Sequence, residues 1–401
     1  MIKSLIDLDF YKLTMGQFAY YKYPNVKVKY KFFNRKLEYK LANIIDKDVL
    51  VEQFEKISKL KLTEEESKYL LGKGFEKSYI EYLSKEVNLE TPSVKVVDGQ
   101  FDIEINGFWC DKILWETYIL STINELYYKF KYQDQSPLIK YGTEKNLEKY
   151  EFMGKNTDLK FMDFSTRRRY SYSWQKDVVK LMSSLPNFLG TSNVKIAMEL
   201  DLTPLGTNAH ELYMVSSGIH RHQGNLRDCV NNILDEWYDF YEGKYSVALP
   251  DTFGTDSFLA DFGKERLEKF MRTRQDSGCP FNYGDKFIKK YKELGISPSN
   301  KYITFSDSLN KEKMRELKDY FKEKIDIDFG WGTNLGNDMG VETLSIVVKV
   351  FEVTKIESEK VSYKLVKLSD NLNKHMGTEE DIDLYKKVFD YENESSQEIV
   401  S

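Results

Sequence analysis

The residues of this chain that could do chemistry fall where short apolar runs give way to small polar strings. Arg167-Arg168-Arg169 follows Phe161-Met162-Asp163-Phe164, and three guanidinium groups directly after a strand do not all find structural carboxylates easily. A planar fork suits bidentate capture of a carboxylate or phosphate, whereas a solvated basic helix start is disfavoured by the helix dipole. His210 lies in Gly206-Thr207-Asn208-Ala209-His210-Glu211, the one histidine of 4 in such a string. It is a candidate acid, base or nucleophile, set against the commoner structural role. His220 and His222 have no third ligand at helical spacing, so metal there is set aside. Asp251, Asp256, Asp276 and Asp307 could hold ribose hydroxyls or an Mg²⁺ that bridges phosphates, or each could cap a helix.

The elements that must position these groups alternate. Phe161–Phe164, Phe188-Leu189, Leu202 to Leu205, Val247–Leu249, Tyr302–Phe305 and Ile325–Ile327 lead into Ser165-Thr166-Arg167, Gly190-Thr191-Ser192, Gly206-Thr207, Asp251-Thr252, Ser306-Asp307 and Gly330-Trp331-Gly332-Thr333. Arg274-Gln275-Asp276-Ser277-Gly278 follows a less obvious strand. Between them run helix-period stripes such as Phe287, Ile288, Tyr291 and Leu294, stopped by Gly295, and Met314, Leu317, Tyr320 and Phe321. Roughly seven βα units in this middle stretch favour a parallel barrel, irregular or incomplete, whose ligands bind at the strands' C-terminal ends. Small residues there let backbone N–H groups approach phosphate oxygens, although any single loop also reads as an ordinary turn or cap.

The expected fold is therefore α/β, with an irregular barrel over residues 156–340 and an α+β domain over 1–155. In the latter Val26–Phe32 and Phe101–Ile105 alternate as half-buried strands do. Residues 341–401 offer Ile346–Phe351 and Val361–Val366 as strands that join the first domain's sheet, with a polar tail from Glu392 expected to fray.

Composition narrows the function. The 401 residues are 41% apolar and 14% aromatic, enough to bury a core, and their length favours two domains or a barrel with an appendage. With 59 basic and 64 acidic side chains the net charge is −5, without the broad basic footprint of nucleic-acid or lipid binders. Cys110, Cys229 and Cys279 are far apart, so neither a disulfide framework nor a thiolate zinc site is expected. An acid at Asp7 breaks any signal peptide, and the apolar run Leu344–Val348 is broken at Lys349, so the expectation is a cytoplasmic protein with no membrane partner.

Taken together, Asp9-Phe10-Tyr11-Lys12-Leu13-Thr14-Met15, Phe33-Asn34-Arg35, Asp163-Phe164-Ser165-Thr166-Arg167-Arg168-Arg169, Gly190-Thr191-Ser192-Asn193, Gly206–Glu211, Arg274–Gly278, Phe305-Ser306-Asp307 and Phe329–Asn334 resemble the nicotinate phosphoribosyltransferase family, in order and spacing over most of the chain. The resemblance implies a discontinuous α+β domain built from both chain ends beside an incomplete barrel, as in type II phosphoribosyltransferases. It implies a homodimer with shared active sites. The implied reaction joins nicotinate to 5-phosphoribosyl 1-diphosphate, giving nicotinate mononucleotide and diphosphate, with Mg²⁺ and with ATP hydrolysed through a phosphorylated histidine, His210 by motif.

Carried over by motif, Arg167 and Arg274 meet the nicotinate carboxylate or nearby phosphate oxygens, Phe164 stacks on the pyridine ring, and Asp276 holds ribose hydroxyls. Ser192 sits near the ring substituent. Ser306, Asp307, Gly332 and Thr333 cradle the ribose 5′-phosphate, while Tyr11 and Arg35 reach across the dimer. Two positions depart from the family pattern: Ser165 replaces the glycine of F-G-T-R-R, and Cys279 replaces the second acid of D-S-G-D-P. Ser165 is tolerable unless that backbone needs positive φ. A lost acid at 279 weakens metal binding if that acid helps hold Mg²⁺, and is otherwise structural. The alternatives are a nicotinamide-using relative, which Ser192 argues against, a quinolinate-using relative, which lacks the ATP-linked histidine, and a non-catalytic metabolite-binding homologue.

Overall fold

The computed structural model describes residues 1–206, 208–356, 360–371 and 375–391. Thr207 and the tail from Glu392 lie outside the described residues. Strand β1 (Val26–Asn34) alternates as the sequence predicts, with Val26, Val28, Tyr30 and Phe32 buried and the lysines between them half-buried. It pairs antiparallel with β3 (Gln100–Phe108), which pairs with β2 (Ser93–Val97). On its other side β1 pairs with β10 (Ile346–Ile356), which pairs with β11 (Lys360–Lys364), so the two ends of the chain share one five-stranded sheet.

The middle of the chain supplies a wholly parallel six-stranded sheet in the order β5 (Phe188–Thr191), β4 (Phe161–Asp163), β9 (Asp326–Trp331), β8 (Tyr302–Phe305), β7 (Arg272–Gln275), β6 (Val247–Ala248). Leu202 to Leu205 forms no strand. Only Pro204 makes a bridge, to Thr191, because a residue without N–H cannot carry the ladder on. The gap between β5 and β6 is spanned by side chains instead, with Asn208 Nδ2 donating to Val247 O at 2.8 Å. Gly190 permits this closure: a Cβ there would lie 2.3 Å from Thr203 O, and its φ is +145°. The barrel is therefore incomplete.

The helix Trp115–Lys131 buries nearly every residue through Tyr128, as expected of an element with neighbours on all sides. Ser121 Oγ donates to Thr166 O at 2.8 Å and Asn124 Nδ2 to Arg167 O at 3.2 Å, so this helix braces the arginine turn after β4. The helix Phe10–Lys22 is buried from Phe10 to Ala19 and carries the first motif. The predicted stripes form helices Pro280–Glu293 and Lys311–Phe321, and Gly295 follows the first with φ +68°. No helix among the described residues is long and apolar enough to cross a membrane.

Candidate active site

A cleft of about 770 Å³ opens between the C-terminal ends of the parallel strands and the inner face of β10. Phe164, Arg274, Ser306, Asp307, Gly332 and Thr333 line its barrel side, all of them expected there from the sequence. Arg35 and Lys349 line the opposite side. Phe164 rests on Gly330, where a Cβ would come within 2.4 Å of its ring, so the strand's missing side chain gives the aromatic its seat.

The three consecutive arginines divide. Arg169 is fully buried and structural: Nη1 and Nη2 grip Asp7 at 2.6 and 2.9 Å, and Nε donates to Glu125 at 3.0 Å. Its partners come from the N-terminus and from helix Trp115–Lys131, distant in sequence, so carboxylates are available after all. Arg167 is one-third exposed and already held, with Nη1 3.0 Å from Glu116 Oε1 and Nε 3.3 Å from Asp9 Oδ2. Its Nη2 edge remains for an anion. Arg168, to which the resemblance gives no role, lines the cleft and has no carboxylate partner within ion-pair distance among the described residues; burial and the Arg167 and Arg35 charges lower it to about 10.

Arg274 lies inside β7 rather than in the loop after it, and its polar strand sequence, Arg-Thr-Arg-Gln, is why the strand was hard to see. It is 5% exposed, its Nε has no hydrogen-bond partner, and Nη1 is 3.9 Å from Asp276 Oδ1. Burial would raise the Asp276 carboxyl, but the Arg274 guanidinium first, with the Lys367 ammonium also near, holds it well below the usual carboxylate range.

His210 opens the helix His210–Gln223 and is buried. Nδ1 lies 3.0 Å from Thr252 Oγ1, and Nε2 lies 3.0 Å from Asp276 Oδ2 and 2.8 Å from Lys367 Nζ. Burial, with the Lys367 ammonium second, lowers the imidazole to about 4, so it is neutral at pH 7 and has a lone pair to offer. Asp251 lies beneath, fully buried, with Oδ2 accepting from Ser277 and Oδ1 without a partner.

One expectation is corrected. Ser192 does not face the cleft; it is 2% exposed, and its hydroxyl donates to Asp9 Oδ1 at 2.7 Å, fixing the acid that holds Arg167. It therefore reports nothing about the ring substituent. Tyr11 and Arg35 each have a place beside the cleft of their own chain. Arg35, whose N–H donates to Ser345 O, lines its own chain's cleft because β1 and β10 are sheet neighbours over the barrel mouth. Tyr11 is buried behind Arg167 of its own chain, 5.6 Å from ring centroid to guanidinium carbon.

The two departures from the family pattern are accommodated. Ser165 has φ −89°, so no glycine is required, and Gly336 makes room for it; a Cβ on Gly336 would lie 2.2 Å from Ser165 Oγ. Cys279 faces a separate cavity of about 280 Å³ and is the N-cap of helix Pro280–Glu293, with no capping bond. The acid's loss there is thus the loss of a cap. Cys279→Ser, neutral beside the cavity's Asp256 and Asp370, is expected to stabilise the fold by about 1 kcal/mol in urea unfolding. No gain in midpoint would reject the capping account.

Sequence reasoning missed Glu116, Lys349 and Lys367. Lys349 had a signal, since it interrupts an apolar strand; Glu116 sits in an otherwise apolar helix start, and Lys367 had none. Lys367 bonds His210, and Lys349, which makes no ion pair among the described residues, is lowered to about 7 chiefly by burial. Glu116 is held near 2 against burial by Lys12 and Arg167.

The sequence model of the nicotinate phosphoribosyltransferase (NAPRTase) family matches residues 159–393, and that of its N-terminal domain matches residues 6–124. The curated nicotinate phosphoribosyltransferase of Acinetobacter baumannii is 38% identical over 377 residues, covering 90% of this chain and 92% of its own length. That of Acinetobacter baylyi is 36% identical over 379 residues, 90% of this chain and 91% of its own. Among solved structures, the nicotinate phosphoribosyltransferase of Porphyromonas gingivalis superposes with a TM-score of 0.89 at 29% identity, covering 97% of this chain and 100% of its own. That of Vibrio cholerae gives 0.85 at 31%, covering 98% and 94%. Matched over both of its sheets and through the cleft between them, the chain belongs to the nicotinate phosphoribosyltransferase family.

Proposed function

We propose that this chain, as a cytoplasmic enzyme, joins nicotinate to 5-phosphoribosyl 1-diphosphate, forming nicotinate mononucleotide and diphosphate. The observation that carries the reading is the convergence of Arg167, Arg168, Arg274 and Lys349 on a cleft that also holds Phe164 for a ring and Asp276 for hydroxyls. Nicotinate and the diphosphate are both anions, and these are the cations that meet them. The C1–oxygen bond to diphosphate breaks as the pyridine nitrogen's own lone pair forms the C1–N bond, so no general base is needed and catalysis is positioning and electrostatic stabilisation.

His210 is the proposed phosphate acceptor. In the tautomer that donates Nδ1–H to Thr252, the Nε2 lone pair accepts from Lys367 at rest; once released from Lys367 it attacks the γ-phosphorus of ATP, ADP leaves, and water later cleaves the N–P bond. Lys367 would then pair with the phosphoryl oxygens. For Mg²⁺, the donor set fits: Asp276 and the unpartnered Oδ1 of Asp251 are hard oxygens, whereas His210 is the wrong ligand type. The ion would neutralise charge on the leaving diphosphate. Product detection from nicotinate, with nicotinamide and quinolinate as parallel substrates and with ATP present or withheld, tests the reading. Binding without turnover, or preference for another pyridine, would reject it.

Lys349 adds a pH dependence. It is cationic below about 7 and neutral above, facing Glu116, Arg167, Lys367 and Asp276. Anion binding is therefore strongest at the acid side of 7, and KM for phosphoribosyl diphosphate is expected to rise about tenfold as pH climbs from 6 to 8, with Lys349→Met flattening that rise. An unchanged pH profile in the variant would exclude Lys349 as its source.

A further inference from the structure

Lys12 is fully buried, and its ammonium makes two ion pairs at 2.6 Å, one to Glu116 Oε2 and one to Glu211 Oε2. The other oxygen of Glu116 holds Arg167 at 3.0 Å. Glu211 follows His210 in the first turn of its helix, and its other oxygen accepts from Trp109 Nε1 at 2.7 Å and from the Tyr30 hydroxyl. One ammonium thus ties the arginine turn to the histidine turn. A small chamber of about 40 Å³, lined by Arg167, His210 and Arg274, lies alongside Glu116 and Glu211, so the tie borders the reacting groups.

We propose that Lys12 is a positioning residue that fixes, through Glu116 and Glu211, the separation between the anion-binding edge of Arg167 and the reactive nitrogen of His210. The inference rests on the proposed function. A buried ion cluster is weak evidence for stability, because packed apolar residues serve as well, so what this one contributes is geometry. Every oxygen of the two carboxylates already accepts from a group of this cluster, and the Lys12 and Arg167 charges both face carboxylates, which ties the arginine turn and the histidine turn through the same few contacts.

The test separates geometry from charge. Lys12→Met is expected to weaken nicotinate binding, read by calorimetry, and to slow acid-labile phosphate uptake from ATP, each about tenfold or more. The charge-balanced pairs Lys12→Met with Glu116→Gln, and Lys12→Met with Glu211→Gln, are expected to stay defective, the first in nicotinate binding and the second in phosphate uptake. Lys12→Arg keeps the charge but not the reach and is expected to show both defects; it also serves if Lys12→Met does not fold. Wild-type behaviour in either balanced pair, or in Lys12→Arg, would mean that Lys12 acts by charge alone and would overturn the proposal. Wild-type protein that neither binds nicotinate nor forms the mononucleotide would instead sink the function; active wild type with unaffected Lys12 variants would sink only the positioning role.

Discussion

His210→Ala is expected to take up no acid-labile phosphate from ATP and to lose all ATP stimulation, while keeping slow basal transfer of the phosphoribosyl group. The bond-making step uses the lone pair of the pyridine nitrogen and the cations of the cleft, none of which the substitution removes. What it removes is an imidazole that lies beside Asp276 and Lys367 of the cleft, between Thr252 on one nitrogen and Lys367 on the other. The imidazole is neutral at working pH, because burial lowers it to about 4, so its loss takes away a nucleophile and not a charge. Lys367 and Asp276 remain to pair with each other, which keeps the cleft's charge in place. The measurements are label retention after alkaline and acid washes, and turnover with and without ATP. Undiminished acid-labile phosphate on the variant would place the phosphorylation elsewhere.

The sequence announces periodicity and loop chemistry well and announces partners poorly. Alternation in β1 and the repeated apolar-then-small pattern mark both sheets, because burial on one face or both writes itself into residue type. Pro204 and the polar β7 escape that rule, one because a missing N–H ends pairing, the other because its polar side chains lie against polar partners, Arg272 on Asp328 and Gln275 on Ser277 O, with Arg274 alone at the cleft. Ser306, Asp307, Gly332 and Thr333 reach the cleft as read, since strand-end loops on one side of a parallel sheet face one way. Arg169 and Ser192 share those loops yet turn inward, towards Asp7, Glu125 and Asp9. Nothing local distinguishes an arginine that meets a substrate from one that meets a carboxylate 162 residues away. Lys349 was legible only as an interruption, and its meaning came from what β10 lies across.

The same limit governs the placement of Tyr11 and Arg35. Distance along the chain from the barrel loops made a second subunit the natural source for both, but β10 returns to β1 and carries the N-terminal sheet over the barrel of its own chain. Arg35 then lines the cleft with Arg168, Arg274 and Asp276 of that chain. If each site is complete within one chain, mixing Arg35→Ala protein with His210→Ala protein leaves every site with one defect, whatever the assembly. No ATP-stimulated activity beyond the sum of the separate variants is expected, even after subunits have had time to exchange. A site shared between subunits would behave otherwise: statistical hybrids would carry one site with both defects and one with neither, and recovery would approach about a quarter of wild type. Recovery of that size in verified hybrids would show that Arg35 serves the neighbouring barrel in solution, and the single-chain site would have to be abandoned.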